Sequence, residues 1–309
     1  MNRYMNQVAL VGLDDFGQSL LWNLTRNCFS VSCYDLDKNY YAELKKEGFS
    51  CFDSVDSLLN NLFGQKIVFV TGKWCDKLSL LVSRLIEKLP SESIIIDCTN
   101  SYFKECVIKQ KRASAKKIAY LDASIIGTLD DVTWAFSIMV GGNPLDAGYF
   151  RDIISPLLVQ DGYLYTGSIG SAHYSKMVHD GIQNSQIQSI IEGVKMFDSS
   201  FYCFNKKKII DFFNKSSMIS GKTLNYISST FSDQAIDELK REKKEFNNLS
   251  ELDLNTLSSF ISTSVSQNTS TPTITASSYS TINLKSKKPS DVDRLLFNLL
   301  IDKFKEVED

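Results

Sequence analysis

Both histidines of the chain, His173 and His179, lie in one short segment that also contains a lysine. If this segment is helical, three of its polar positions share one face, because they lie three to four and seven residues apart. They are Lys176, His179 or Asp180, and Gln183. A lysine, a histidine and an amide on one stripe could bind hydroxyl and carboxylate groups. The alternative is a solvated helix face that happens to hold both histidines.

The composition is typical of a soluble globular protein. The 309 residues are enough for one large domain or two, with 43% hydrophobic and 23% charged residues. The 34 basic and 36 acidic residues nearly cancel, which argues against nucleic acid as a partner. No apolar run approaches the roughly 20 residues that span a bilayer, so no membrane association is expected.

The N-terminal residues and the cysteines indicate a cytoplasmic protein. The polar residues 1–6 lead directly into an apolar run and do not resemble a signal peptide. Seven cysteines are scattered without a pair at metal-ligand spacing. We therefore expect reduced thiols in a cytoplasmic protein and no metal site.

The first half of the chain alternates apolar runs with amphipathic stretches such as Gln18–Asn27 and Asp76–Leu89. This alternation predicts a parallel sheet with helices on both faces, an α/β Rossmann-type domain over residues 1–167. The predicted strands are 7–12, 29–34, 66–71, 93–98, 118–122, 135–140 and 162–165.

The second half predicts helices. Residues 175–197 have the apolar spacing of a long, largely buried helix, and three more segments look helical, which gives an all-α domain over residues 168–309. These segments are 206–213, 218–231 and 291–304. Between residues 256 and 290, 18 of 35 residues are serine or threonine, a composition that predicts a loop or a partly ordered segment.

A glycine-containing turn follows the first predicted strand and opens a helix. Gly12 and Gly17 stand at the first and last glycine positions of a dinucleotide-binding turn. Asp14 takes the middle glycine position and Asp15 follows it, so two carboxylates would crowd and repel a diphosphate. The alternative is a doubly wound fold that no longer binds a dinucleotide.

An aspartate ends the second predicted strand. Asp35 lies 23 residues after Gly12, where an acidic side chain hydrogen-bonds a ribose 2′-hydroxyl. No arginine follows that could accept a 2′-phosphate. The sequence therefore favours NAD over NADP, with binding opposed by Asp14 and Asp15.

Five sequence motifs resemble the 6-phosphogluconate dehydrogenases, particularly their short bacterial form within the β-hydroxyacid dehydrogenase superfamily. They are 12–18, 96–101, 120–127, 138–142 and 170–183, of which the last is the longest and most specific. The resemblance runs from residue 8 to about residue 231. It implies a Rossmann domain, a helical C-terminal domain, a homodimer and a small-molecule substrate. Such proteins oxidise a 3-hydroxy acid phosphate with a nicotinamide cofactor and decarboxylate the product.

The resemblance also assigns site residues. Lys176 matches the general base for the 3-hydroxyl, and His179 matches a histidine that contacts substrate. Asn100 falls in the loop that contacts substrate and nicotinamide, and Gly127 falls in a substrate-binding turn. The expected cofactor residues are Gly12, Phe16, Gly17, Asp35 and Thr71.

Several positions depart from the family pattern. Asp180 replaces an asparagine that holds substrate, and Gln183 replaces the glutamate that acts as general acid after decarboxylation. An amide cannot donate that proton, so the protonation step should be impaired while hydride transfer stays possible. Ile126 and Thr128 alter a Ser-Gly-Gly turn, and Thr281 aligns with a phosphate-binding arginine. Losing charge-assisted phosphate contacts argues against 6-phosphogluconate as the substrate.

Three functions stay open. The first is an NAD(P)-dependent oxidoreductase that acts on a 3-hydroxy acid, or a related alcohol or carbonyl, with Lys176 as base. The second is a catalytically inactive relative that serves as a binding or regulatory protein. The third is an active decarboxylating 6-phosphogluconate dehydrogenase with shifted ligands.

Overall fold

The computed structural model describes residues 7–72, 75–99, 101–230, 251–267 and 269–276. The chain divides into two compact units, Met1–Met177 and Val178–Asp309. We describe them separately as unit 1 and unit 2. The division falls ten residues beyond the predicted domain boundary at 167/168, which stays a prediction.

Unit 1 is built on one eight-stranded sheet. Its strands are β1 Gln7–Val11, β2 Ser30–Tyr34, β3 Ser50–Cys51, β4 Ile67–Val70, β5 Ile94–Asp97, β6 Ala119–Ile126, β7 Phe136–Gly141 and β8 Leu158–Gly167. The order across the sheet is β3-β2-β1-β4-β5-β6-β7-β8, and all neighbours are parallel except β6 and β7. The predicted Rossmann-type fold is confirmed, with the two-residue β3 added to the predicted strands.

Helices connect these strands and continue into unit 2. They are α1 Asp15–Arg26, α2 Asn39–Lys46, α3 Val55–Asn60, α4 Asp76–Lys88, α5 Phe103–Ser114, α6 Leu129–Trp134, α7 Pro144–Ile154, α8 Ser171–Asp198, α9 Lys206–Ser216, α10 Lys222–Thr230 and α11 Glu251–Ser266. In the described part of unit 2, every regular element is a helix. None of the described helices is long and apolar enough to cross a membrane.

Two apolar cores cover the two faces of the sheet. Along β1, Val8 and Leu10 belong to one core, and Ala9 and Val11 belong to the other. Strands that are buried on both faces must be apolar at every position, which explains the uninterrupted hydrophobic runs in the sequence. The sheet therefore holds the carboxyl ends of its parallel strands in fixed positions along one edge.

The Ser/Thr-rich segment corrects one prediction. Residues 256–266 belong to α11 and residues 272–276 form a further helical turn, so the predicted loop is wrong there. The hydroxyls bond back within the helix, as Ser264 Oγ donates to the Ile261 carbonyl at 2.9 Å. Phe260, only 5% exposed, buries its ring on the same helix. Burial and back-bonding thus outweigh the low helix propensity of these residues. Residues 277–290 and the predicted helix 291–304 lie outside the described residues.

Candidate active site

The turn between β1 and α1 is tightly packed. Gly12 has a φ of 105°, and a Cβ atom there would lie 2.2 Å from the Thr71 carbonyl oxygen. A Cβ at Gly17 would lie 2.1 Å from the Gly12 carbonyl oxygen. Thr71 Oγ1 donates to that same Gly12 carbonyl at 2.9 Å. Only glycine fits at both positions, as expected where a helix must approach a strand end closely.

The first turn of α1 is capped by its own carboxylate. Asp14 is the N-cap residue, and its Oδ1 accepts a hydrogen bond from the Gly17 amide at 3.1 Å. Asp15 follows it and is exposed. A helix N-terminus is the position at which Rossmann folds hold a diphosphate. In this chain the Asp14 carboxylate already accepts a hydrogen bond from one of the amides at this helix end.

Asp35 reaches back to the same turn from the end of β2. Its Oδ2 accepts from the Leu13 amide at 2.5 Å, and its Oδ1 accepts from the Asp37 amide at 2.7 Å. Burial raises the pKa of Asp35 more than these two hydrogen bonds lower it. The backbone supports this contact, because the Gly12 amide donates to the Tyr34 carbonyl at 2.9 Å. Asp35 and the glycine turn, which are both expected to bind the cofactor, therefore lie next to each other.

These residues fit a dinucleotide at one end and oppose it at the other. Gly12 and Gly17 have the close packing of a dinucleotide turn, and Asp35 has the carboxylate that the ribose side needs. Asp14 adds negative charge where the diphosphate would lie. Burial raises the pKa of Tyr40, and the negative charges of the aspartates at 14, 15, 35 and 37 raise it further, which marks this end of the sheet as acidic. Phe16 is half-buried and packs against the core.

The start of α8 is anchored by a buried carboxylate from β6. Asp122 is 0% exposed. Its Oδ1 accepts from the Gly170 amide at 2.7 Å, and its Oδ2 accepts from the amides of Ala172 and His173 at 2.9 and 3.0 Å. A carboxylate that accepts three amide hydrogens compensates the positive end of the helix and its own burial. The sheet and α8 are joined at this point.

His173 adds a second link between α8 and the sheet. Its ring is 3% exposed, and Nε2 lies 3.0 Å from the Asp97 carbonyl oxygen, which can only accept, so Nε2 bears a hydrogen. Nδ1 lies 3.2 Å from Cys106 Sγ and 3.4 Å from Ser101 Oγ. Burial lowers the pKa of His173, but Cys106, Asp97 and Asp122 raise it more, to about 10. His173 is thus a buried residue that links α8 to the end of β5.

Asp97 fixes the chain that leaves β5. It is fully buried and accepts from the Thr99 amide at 3.0 Å, from the Thr99 hydroxyl at 2.5 Å and from the Tyr120 hydroxyl. Lys109 Nζ lies 3.9 Å away. Burial raises the pKa of Asp97, but the charges of His173 and Lys109 and these hydrogen bonds lower it below its usual value. The loop after β5 therefore starts from a rigid, ionised anchor.

The long helix predicted over residues 175–197 is confirmed by α8. Lys176 is half-buried and follows His173 by one turn, at the end of unit 1. In unit 2, His179 is 44% exposed at its side chain, and its Nδ1 lies 3.0 Å from Asp180 Oδ1. Gln183 is half-buried. The roles of these four residues stay predictions.

Gly127 lies in the turn between β6 and α6. It has a φ of 148°, and a Cβ there would lie 2.7 Å from Asp131 Cβ. Thr128 and Asp131 form a capping box that starts α6. The Thr128 hydroxyl, which stands in the altered Ser-Gly-Gly turn, thus caps the start of α6. Asn100 and Thr281 lie outside the described residues.

The buried anchors were absent from the residues predicted for the site. Asp97 ends β5 much as Asp35 follows β2, and Asp122 ends the apolar run 118–122 although β6 continues to Ile126, so these positions were a usable signal. The role of His173 had no such signal, because its partners Asp97 and Cys106 lie 76 and 67 residues away in sequence. Among the described residues, no group of His, Cys, Asp or Glu could hold a metal ion.

The fold and the turn together define a Rossmann-type dinucleotide-binding domain. Residues 7–157 match the family described as the NAD binding domain of 6-phosphogluconate dehydrogenase. Residues 7–157 therefore belong to the family of NAD-binding domains of the 6-phosphogluconate dehydrogenases.

Similar sequences agree with this assignment. The chain is 27% identical over 237 residues to YqeC of Bacillus subtilis, which is provisionally named a 6-phosphogluconate dehydrogenase. That match covers 76% of this chain and 79% of the relative. A decarboxylating, NAD⁺-dependent 6-phosphogluconate dehydrogenase of Haloferax volcanii is 25% identical over 232 residues, which covers 75% of this chain and 77% of that protein.

Similar structures support the fold. The 3-hydroxyisobutyrate dehydrogenase of Mycobacterium tuberculosis, described with L-serine, has a TM-score of 0.73 at 15% identity and covers 97% of this chain and 99% of its own. The 6-phosphogluconate dehydrogenase of Plasmodium falciparum has a TM-score of 0.73 at 20% identity and covers 95% of this chain and 69% of its own. At these identities the likeness concerns the fold alone.

Proposed function

We propose that the chain is an NAD-linked oxidoreductase for a 3-hydroxy acid, or a related alcohol or carbonyl, that does not recognise a 6-phosphate. Lys176 removes the proton of the substrate hydroxyl, and His179 contacts the substrate. Asn100, Gly127 and Asp180 are the further proposed substrate contacts. A bound nicotinamide supplies the hydride acceptor.

The observation that best supports this proposal is the double anchor at the start of α8. Asp122 accepts hydrogen bonds from three backbone amides at this helix start, and His173 bonds to the carbonyl of Asp97 at the end of β5. A general base must keep a fixed position, because small displacements cost large factors in rate. Lys176 lies one turn beyond these anchors, on the same rigid helix.

The negative charges of Asp35 and Asp180 favour NAD over NADP and disfavour a substrate that has a phosphate in addition to its carboxylate. The Asp35 carboxylate can accept a hydrogen bond from a ribose 2′-hydroxyl, but it would repel a 2′-phosphate. Asp180 adds negative charge beside His179. A substrate with one carboxylate therefore suits the proposed site better than one that also has a phosphate.

Gln183 limits the reaction that we propose. An amide side chain has no proton that it can give up at neutral pH, whereas a general acid contributes about 10²–10⁴-fold in rate. Hydride transfer needs only the base and the cofactor. The proposal therefore ends at the oxidised product and includes no assisted decarboxylation.

One observation favours a second candidate, a catalytically inactive binding or regulatory relative. Asp14 caps the helix end that would hold a diphosphate. If this contact prevents dinucleotide binding, the fold keeps its stability without its cofactor. In that case calorimetry should detect neither NADH nor NADPH binding.

The test is turnover of a panel of 3-hydroxy acids and 6-phosphogluconate with NAD⁺ and NADP⁺. We expect NAD⁺-linked oxidation of an unphosphorylated acid. Lys176→Ala should lower kcat by about 10²–10⁴-fold. Lys176→Arg should do the same, because an arginine keeps the charge but does not act as a base.

A matched variant controls for the loss of one lysine. Lys208 is exposed on α9, and Lys208→Ala should leave kcat unchanged. Full activity of Lys176→Arg would contradict the assigned role, and turnover of 6-phosphogluconate alone would contradict the proposed substrate class. The homodimer and the cytoplasmic location stay predictions.

A further inference from the structure

Two cysteines face each other across neighbouring strands at one edge of the sheet. Cys33 on β2 and Cys51 on β3 are register partners in a parallel pair, and β3 is the edge strand. Both belong to the same apolar core, so their side chains lie on one face of the sheet. Both are free thiols, and each affects the pKa of the other. Nothing in the proposed reaction uses them.

The backbone spacing suits a disulfide. Neighbouring strands lie about 4.8 Å apart, and disulfides join Cα atoms that are usually about 4.4–6.8 Å apart. The Phe52 amide donates to the Cys33 carbonyl at 2.9 Å and holds the two strand ends together. The two sulfurs can therefore bond without a large movement of the chain.

The two thiols differ in reactivity. The neighbouring Cys33 thiol lowers the pKa of Cys51 more than burial raises it, and the positive charge of Lys45 lowers it further. The same interaction with Cys51, together with burial, raises the pKa of Cys33. Cys51 is 9% exposed at the sheet edge, whereas Cys33 is 0% exposed. Cys51 is thus the sulfur that an oxidant reaches first as a thiolate.

We propose that Cys33 and Cys51 form a reversible intramolecular disulfide when the protein meets a peroxide. The Cys51 thiolate attacks the O–O bond, takes one oxygen as a sulfenic acid and releases the other as water after protonation. The Cys33 sulfur then attacks the Cys51 sulfur, and the sulfenic oxygen leaves as a second water. Two thiols are oxidised by two electrons and one peroxide is reduced.

The bond would link the edge strand β3 to β2, and the Asp35 side chain just after β2 contacts the turn between β1 and α1. Asp35 follows Cys33 by two residues. The disulfide does not depend on the proposed reaction, because it needs only the two thiols and the register of β2 and β3. Reductants would restore both thiols.

The experiment treats the full-length reduced protein with one equivalent of hydrogen peroxide and then blocks the remaining thiols. We expect the intact mass, measured before blocking, to fall by two hydrogens, and a non-reduced peptide map after blocking to contain the Cys33–Cys51 cross-linked peptide. Dithiothreitol should remove the cross-link. The control variant Cys28→Ser removes an exposed cysteine outside this pair. It should form the same Cys33–Cys51 cross-link as the wild type.

Single variants test the order of attack. Cys33→Ser should leave a sulfenic acid at Cys51 that dimedone labels, and Cys51→Ser should leave Cys33 unlabelled and uncrosslinked. The wild-type peptide map gives an answer even if a variant fails to fold. The proposal is overturned if the wild type shows no Cys33–Cys51 peptide, if other cysteines cross-link instead, or if sulfinic acid accumulates at Cys51.

Discussion

Two helices of unit 1 begin at a carboxylate, but the two carboxylates have different origins. At α1, Asp14 comes from the turn itself, is half-buried and accepts a hydrogen bond from the Gly17 amide. At α8, Asp122 comes from β6, is fully buried and accepts from three amides. The same electrostatic device therefore serves a local cap at one helix and a link between helix and sheet at the other.

Asp14 is a cap that other groups can replace, whereas Asp122 is a structural anchor. Water and neighbouring groups can replace the contact of Asp14 with the Gly17 amide, and a diphosphate would compete with it for the same helix end. No solvent reaches Asp122, so its three amides have no substitute acceptor. The role of a carboxylate at a helix start therefore depends on how deeply it is buried and on whether it comes from the adjacent turn or from another element.

The largest effect that we expect is the loss of the buried anchor. Asp122→Ala leaves three backbone amides in the core without their acceptor and should lower the free energy of unfolding by about 3–5 kcal/mol. Asp14→Ala should cost about 1 kcal/mol, the usual value for a helix cap. Urea unfolding of the two variants gives the comparison. Equal costs would show that the two carboxylates have the same role.

The second effect concerns pH. Because the pKa of His173 in the folded protein is raised to about 10 from its ordinary 6.5, its stabilising contribution is complete below pH 6.5 and is lost as the pH rises towards 10. The ring is almost fully buried, so the loss should be on the order of a few kcal/mol. His173→Gln should flatten this pH dependence in urea unfolding.

His179→Gln is the matched control for that experiment. His179 lies on the same helix, but its side chain is 44% exposed. This variant should keep the pH dependence of the wild type. If both variants flatten the curve equally, the alkaline loss of stability does not arise from the α8 anchor.

The smallest effect is at the α1 cap. Asp14→Asn keeps a side-chain acceptor for the Gly17 amide but removes a charge beside the expected diphosphate. Two unit charges about 4 Å apart interact by roughly 1 kcal/mol in water and by more when partly buried. NADH should therefore bind about tenfold more tightly to the variant. Asp15→Asn, at an exposed position beside the cap, should give a smaller gain in the same fluorescence titration.

The α1 turn was predictable from the sequence because its parts are close together along the chain. Gly12, Asp14 and Gly17 lie within six residues, and Asp35 follows at a spacing that the βαβ unit imposes. The α8 anchor was not, because Asp122 and Gly170 are 48 residues apart and the register of β6 brings them together. The helix over residues 256–266 was missed for a related reason, since burial of Phe260 overrides local propensity.

Titration of NADH and NADPH into the wild-type protein by calorimetry tests the central claim most directly. The account predicts that NADH binds and that NADPH binds more weakly, because its 2′-phosphate would meet the Asp35 carboxylate. Asp14→Asn should strengthen the binding of both. Tighter binding of NADPH would contradict the assigned role of Asp35, and no binding of either cofactor to the wild type or to the variant would contradict the account as a whole.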